Sequence, residues 1–135
     1  MYSSEVNEQL AQQATKKRQF TFAALGNPNS GKSTVFNHLT GLRQKIGNFP
    51  GVTVDKKVGK VLLEHGQQRD ITLIDFPGTY SFYPTSQDER IVAQTFTNPE
   101  DENYPDAVIY VADVSRLQKH LLRFTQIRHL GLPTL

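Results

Sequence analysis

Cysteine and tryptophan are both missing from the 135 residues, and methionine occurs once. Without cysteine there are no disulfides and no cysteine-ligated zinc or iron–sulfur site, which fits a reducing compartment. A strong charge bias is missing too. Fifteen Lys and Arg stand against 13 Asp and Glu, a formal +2; that balance offers no electrostatic footprint for nucleic acid or lipid, and no nucleic-acid partner is expected. Long apolar runs are absent as well: the longest, Ala107–Ala112, falls far short of the ~20 residues of a membrane helix and suits a buried strand. What is present is an ordinary globular balance, 37% apolar and 21% charged residues, at a length that calls for one core and one soluble domain. Lys16, Lys17 and Arg18 imitate the basic start of a signal peptide. The apolar stretch behind them, Phe20–Leu25, is too short for one and runs into Gly26-Asn27-Pro28. Residues 1–18 are therefore expected to form a polar arm outside the core, and 19–135 the domain.

Along the chain, apolar positions at Phe20, Phe22, Ala24 and Leu25 predict a first strand. A Gly/Asn/Pro loop and a helix from Gly31 to Thr40 follow, with Gly41 placed to end it. Arg43–Gly51, with two glycines and a proline, reads as a loop. Val52–Glu64 reads as a long strand, His65–Gln68 as a hairpin turn, and Asp70–Asp75 as the antiparallel partner. After a loop over Phe76–Thr85, Ser86-Gln87-Asp88-Glu89 matches a capping box and predicts a helix that stops before Pro99. Ala107–Ala112 reads as a parallel strand covered on both faces, and Leu117–Leu130 as an amphipathic helix ended by Gly131 and Pro133. Strands alternating with helices predict an α/β fold with a mostly parallel sheet.

Three motifs carry chemistry. Gly26-Asn27-Pro28-Asn29-Ser30-Gly31-Lys32-Ser33 satisfies G-x-x-x-x-G-K-[ST], the phosphate-binding loop. Its glycines let backbone N–H groups face phosphate oxygens, Lys32 adds a charge at the β- and γ-phosphates, and Ser33 offers a hydroxyl to Mg²⁺. Chance produces this pattern in roughly one chain in 200 of this size at average residue usage, and here it also follows a strand and opens a helix. A plain turn is therefore the weaker reading. Asp75-Phe76-Pro77-Gly78 is the second motif: a carboxylate ending an apolar strand can hold Mg²⁺, and Gly78 can present its N–H to a γ-phosphate. Alone it would be read as a turn; downstream of a phosphate loop it is read as functional. Thr53, within Gly51-Val52-Thr53-Val54 between the other two motifs, is the candidate switch threonine for Mg²⁺ and the γ-phosphate. The fold expected from this set is a P-loop NTPase of the Ras-like kind.

Gly26–Thr34, Gly47-Asn48-Phe49-Pro50-Gly51-Val52-Thr53-Val54-Asp55-Lys56-Lys57, Asp75-Phe76-Pro77-Gly78-Thr79-Tyr80-Ser81 and Phe124–Pro133 together resemble the N-terminal G domain of FeoB-type ferrous iron transporters, from about Phe20 to the last residue. The resemblance implies a GTP/GDP switch with Mg²⁺, joined to the membrane domain of the same full-length protein on the cytoplasmic face of the inner membrane. It also implies K⁺ as a further cofactor, with Asn29 as a ligand, in the place where other GTPases put an arginine finger, and Asn48 supporting the loop above it. Nucleotide contacts are then expected from Gly26, Asn27, Pro28, Asn29, Ser30, Gly31, Lys32, Ser33, Thr34, Gly51, Val52, Thr53, Asp75, Phe76, Pro77 and Gly78, with Thr53, Gly78 and Asn29 nearest the chemistry.

Two departures qualify the pattern. Many GTPases carry a water-orienting Gln directly after the D-x-x-G glycine; here Thr79 stands there, too short for the task, so slow hydrolysis is expected. No guanine-reading N-x-x-D element or later base-contacting loop is found, so the chain reads as a G domain cut short after a fourth strand and third helix. In a Ras-like strand order that leaves Ala107–Ala112 as a bare apolar edge, and self-association through it is expected. The four histidines, at 38, 65, 120 and 129, are too scattered for a metal site. Lys56, Lys57 and Lys60 read as a solvated face, and Tyr80, Phe82 and Tyr83 as packing. The rival readings are a GTPase of ribosome assembly or tRNA modification, and a non-catalytic interaction module.

Overall fold

The computed structural model describes residues 19–62, 70–79 and 86–135. The arm over 1–18, the hairpin turn expected at His65–Gln68 and the aromatic cluster Tyr80–Tyr83 lie outside the described residues. Strands and helices alternate as β1 (Gln19–Gly26), α1 (Lys32–Thr40), β2 (Gln44–Asn48), β3 (Asp55–Lys60), β4 (Asp70–Asp75), α2 (Gln87–Thr97), β5 (Ala107–Val111) and α3 (Leu117–His129), with a short 3-10 turn at Val114–Arg116 before α3. The strands form one sheet in the order β2-β3-β4-β1-β5. β1 runs parallel to both β4 and β5, whereas β3 runs antiparallel to β4 and β2 antiparallel to β3.

Register decides where the site falls. Ala24 lies beside Asp75 and Gly26 beside Val111, so β1, β4 and β5 end on one rim of the sheet. In open α/β sheets that rim is where ligands bind.

The sheet is covered on both faces. On one, Ala23, Leu25, Ile74 and Val108 pack against Ile91, Val92 and Phe96 of α2 and Ile127 of α3. Phe49 and Phe76 belong to the same core, with ring centroids 5.3 Å apart, and Phe76 meets Phe96 edge-on at 5.2 Å. On the other face Ala24 and Leu73 pack against Phe36 of α1. Both helix starts and stops follow from local chemistry. Gly41 takes a left-handed φ of 59° at the end of α1, where its N–H and that of Leu42 both reach the Asn37 carbonyl. The Ser86 hydroxyl accepts the Glu89 N–H at 3.2 Å to open α2, as the capping box requires.

Three expectations change. Arg43–Gly51 is not all loop, because Gln44–Asn48 forms the edge strand β2. Its residues are all exposed and carry no apolar alternation, so only backbone pairing with β3 defines it. The strand expected over Val52–Glu64 starts later, at Asp55. Bonds from Phe49 N–H to the Val54 carbonyl (3.0 Å) and from Val52 N–H to the Phe49 carbonyl (3.3 Å) fold Pro50–Thr53 into a turn, with Gly51 at φ 77°. The edge of β5 is not bare. Val108 N–H reaches the Pro133 carbonyl at 2.8 Å, Leu135 N–H the Val108 carbonyl at 2.9 Å, and Tyr110 N–H the Leu135 carbonyl at 2.9 Å. Residues 133–135 thus lie parallel beside β5 and use the groups through which self-association was expected. Three residues are too few to show a strand pattern in sequence.

Candidate functional site

The phosphate loop joins β1 to α1 on the rim where the parallel strands end. The Ser30 N–H closes a turn onto the Asn27 carbonyl at 3.2 Å, and Asn29 (φ 62°) and Gly31 (φ 91°) both take left-handed backbone. Gly31 is the N-cap residue of α1, and no side chain caps that end. The first N–H groups of a nine-residue helix are therefore left unclaimed by side chains and carry the helix's partial positive charge. Asn27 is buried, and its Oδ1, like the Ser30 Oγ, has no hydrogen-bond partner among the described residues. Asn27 to Ser33 and Gly78 wall a hollow of about 460 Å³. All of this wall but Gly78 comes from one contiguous segment, and its chemistry suits an anion.

A second hollow, about 420 Å³, adjoins it and is walled by residues from four separate segments: Lys32 from α1, Thr53–Asp55 and Lys57 from the turn and β3, Asp75, Pro77 and Gly78 from the end of β4 and beyond, and Gln87 and Asp88 from α2. Lys32 and Gly78 belong to both hollows. At this junction the Lys32 ammonium donates to Asp75 Oδ1, and both residues are buried. A buried pair of this kind is not a reliable source of net stability, but removing one partner strands a charge. Its clearer consequence is placement: an ammonium and a carboxylate are held side by side where the two hollows meet.

Gly78 is fixed by close approach. A Cβ there would lie 2.9 Å from the Pro28 Cα and 3.0 Å from its nitrogen, so any larger residue would push the two loops apart. Next to it, the buried Thr79 donates its N–H to the Gly26 carbonyl at 3.1 Å, and Phe76 donates to the Ala24 carbonyl at 3.2 Å. The start of the loop after β4 is thus tied to β1 at two points.

Most residues expected at the site meet at these hollows, but several do not. Ser33 lines the first hollow, Thr53 and Asp75 the second. The three oxygen-donor side chains suit Mg²⁺ in chemistry, being two hydroxyls and a carboxylate. Asn29 is exposed and borders the first hollow. Phe76, expected among the nucleotide contacts, is fully buried between Phe49 and Phe96, and Val52 packs on the same core. Thr34 and Gly51 are exposed and line neither hollow. Asn48 ends β2, paired with Asp55. Conversely, sequence reading passed over Gln87, Asp88 and Lys57 as wall residues. For Lys57 the missing signal was register: it lies directly opposite Asp75 across β3 and β4.

A phosphate loop at the end of β1, an aspartate at the end of β4 and a glycine backed against that loop define a P-loop nucleotide-binding domain of the G-domain class. The chain belongs to the ferrous iron transport protein B family, whose model matches residues 20–135. It is 41% identical over 120 residues to the Fe(2+) transporter FeoB of Salmonella typhimurium, an alignment covering 86% of this chain and 15% of that protein. Among solved structures it is similar to the cytosolic domain of L. pneumophila FeoB (44% identity, TM-score 0.74, covering 85% of this chain and 43% of that one). It is also similar to a mutant S. thermophilus NFeoB bound to mGDP (34% identity, TM-score 0.75, 86% and 42%). The chain therefore spans about 15% of the length of the curated transporter it matches. Among the described residues no helix is long and apolar enough to cross a membrane.

Proposed function

We propose that this chain is the guanine-nucleotide switch of a ferrous iron transporter, binding Mg²⁺–GTP, hydrolysing it slowly, and passing the bound state to a membrane domain of the same full-length protein from the cytoplasmic face of the inner membrane. On this reading residues 19–135 form part of a G domain and 1–18 an arm before it. The observation that carries it is the Lys32–Asp75 pair at the junction of the two hollows. The phosphate-loop hollow suits the α- and β-phosphates, received by backbone N–H groups within Asn29–Ser33. The adjoining hollow suits the γ-phosphate and Mg²⁺, with Ser33, Thr53 and Asp75 as the residues that would hold the ion. Mg²⁺ supplies charge neutralisation at the phosphates. Within the chain, the Lys32 ammonium turns to phosphate and the Asp75 carboxylate to the cation, each leaving the other. The Gly78 N–H serves the γ-phosphate in the triphosphate state, and its loop and Thr53 change position between states.

Hydrolysis is slow on this account because Thr79 is buried with its backbone bonded to Gly26, and no glutamine stands there to orient water. Asn29, on the rim of the first hollow, is the proposed K⁺ ligand, the ion contributing charge that no arginine in the phosphate loop supplies. The test is GTP hydrolysis by the full-length transporter in KCl and in NaCl at matched ionic strength. The rate should be higher in KCl, and Asn29→Ala should erase the difference. A rate indifferent to the cation would remove K⁺ from the account, and absence of any GTP turnover would remove the hydrolytic switch itself.

A further inference from the structure

Lys57 reads from sequence as one of three lysines on a solvated face, and the fold separates the three. Lys60 is exposed at the far end of β3, 3.9 Å from Asp70. Lys56 alternates to the other face of the strand from Lys57. Lys57 is half-buried, lies directly opposite Asp75 in the antiparallel pair, and shares its side of the sheet. Its side chain lines the second hollow together with Lys32, Thr53, Asp75 and Gly78. It makes no ion pair among the described residues, and the carboxylate opposite it in the register is bonded to Lys32.

Two lysines thus line the hollow that holds the buried Asp75, and only one of them belongs to the phosphate loop. Lys32 borders both hollows, whereas Lys57 borders only the second. A nucleoside diphosphate seated on the phosphate loop engages the first hollow. On the nucleotide-switch reading, the additional phosphate of a triphosphate would extend toward Thr53 and Gly78, into the hollow that Lys57 lines.

We propose that Lys57 is a second phosphate-facing ammonium that recognises the terminal phosphate of a nucleoside triphosphate, so that preference for tri- over diphosphate is built partly into β3. The inference rests on the nucleotide-switch reading above and deepens it. A lysine at this place adds charge on β3, the strand that directly follows the Thr53 turn, and it links the register of β3 with β4 to the occupancy of the γ-phosphate position. A neutral side chain there would leave Lys32 as the one ammonium among the residues lining that hollow.

The experiment is fluorescence titration of the chain with Mg²⁺ and either GDP or a non-hydrolysable GTP analogue, for wild type, Lys57→Gln, Lys57→Arg and Lys56→Gln, with circular dichroism melting of each. A lost charge-assisted hydrogen bond of this class corresponds to about tenfold or more in affinity. Lys57→Gln should therefore weaken the GTP analogue about tenfold while leaving GDP within about twofold. Lys57→Arg should keep most of the triphosphate preference, and Lys56→Gln, one residue away on the opposite face, should change neither affinity. An unchanged triphosphate preference in Lys57→Gln, or an equal fall for both nucleotides, would overturn the assignment while wild-type binding keeps the nucleotide reading standing. Failure of wild type to bind either nucleotide would overturn both.

Discussion

The two walls of the site are built in opposite ways. The phosphate wall is, Gly78 apart, one continuous run, Asn27 to Ser33, shaped by left-handed backbone at Asn29 and Gly31 and closed by its own turn. The switch wall is assembled from the turn before β3, β3 itself, the end of β4 and the start of α2. A local wall needs only local chemistry to hold its shape. A composite wall depends on the core beneath it and on strand register, and its parts can shift relative to one another. On the proposed function, that difference suits a division of work in which one wall would hold the nucleotide and the other would report which nucleotide is held.

Phe76 is the sharpest point at which to break the comparison. It lies beneath the switch wall, fully buried between Phe49 and Phe96. Phe76→Ala should destabilise the fold by about 4 kcal/mol in urea unfolding, the usual cost of an aromatic cavity. A loss below about 1 kcal/mol would show that the aromatic stack does not support this wall. Gly78 tests the seam between the walls. Gly78→Ala places a Cβ against the Pro28 backbone, and overpacking of that kind costs about 1–3 kcal/mol. Hydrogen exchange should then accelerate at the Thr79 amide, whose bond to the Gly26 carbonyl lies at the seam. Unchanged protection there would mean that the loops separate elsewhere. Ser86→Ala, which removes only the cap of α2, should cost about 1 kcal/mol in the same unfolding assay. A neutral effect would mean that α2 is positioned by its buried face alone.

Legibility followed the same division. The phosphate loop could be read because G-x-x-x-x-G-K-S is contiguous, and because Gly41 and the Ser86–Glu89 box announce helix ends through local hydrogen bonds. The α/β class followed from apolar strands such as Ile71–Ile74 and Ala107–Val111. β2 was hidden because Gln44-Lys45-Ile46-Gly47-Asn48 lies exposed on an edge and buries nothing. Phe76 and Val52 sit inside functional motifs, yet their side chains serve the core. A motif names a segment, and only packing tells which of its side chains face the ligand. Lys57 reads from sequence as solvent-facing because its opposition to Asp75 depends on pairing between two strands, which no single stretch of sequence records. The edge of β5 was misjudged for a similar reason: Pro133–Leu135 covers it through backbone bonds, and backbone bonds leave no trace in side-chain pattern.

The central claim is that Lys32 stands at the junction of the two hollows and serves phosphate from there. Its most direct test is fluorescence titration of wild type and Lys32→Ala with GDP and with a non-hydrolysable GTP analogue, both with Mg²⁺. Lys32→Ala should weaken both nucleotides by more than about tenfold, since the lost bond is charge-assisted and lies where both must bind. Equal affinities of wild type and Lys32→Ala for the two nucleotides would contradict the account.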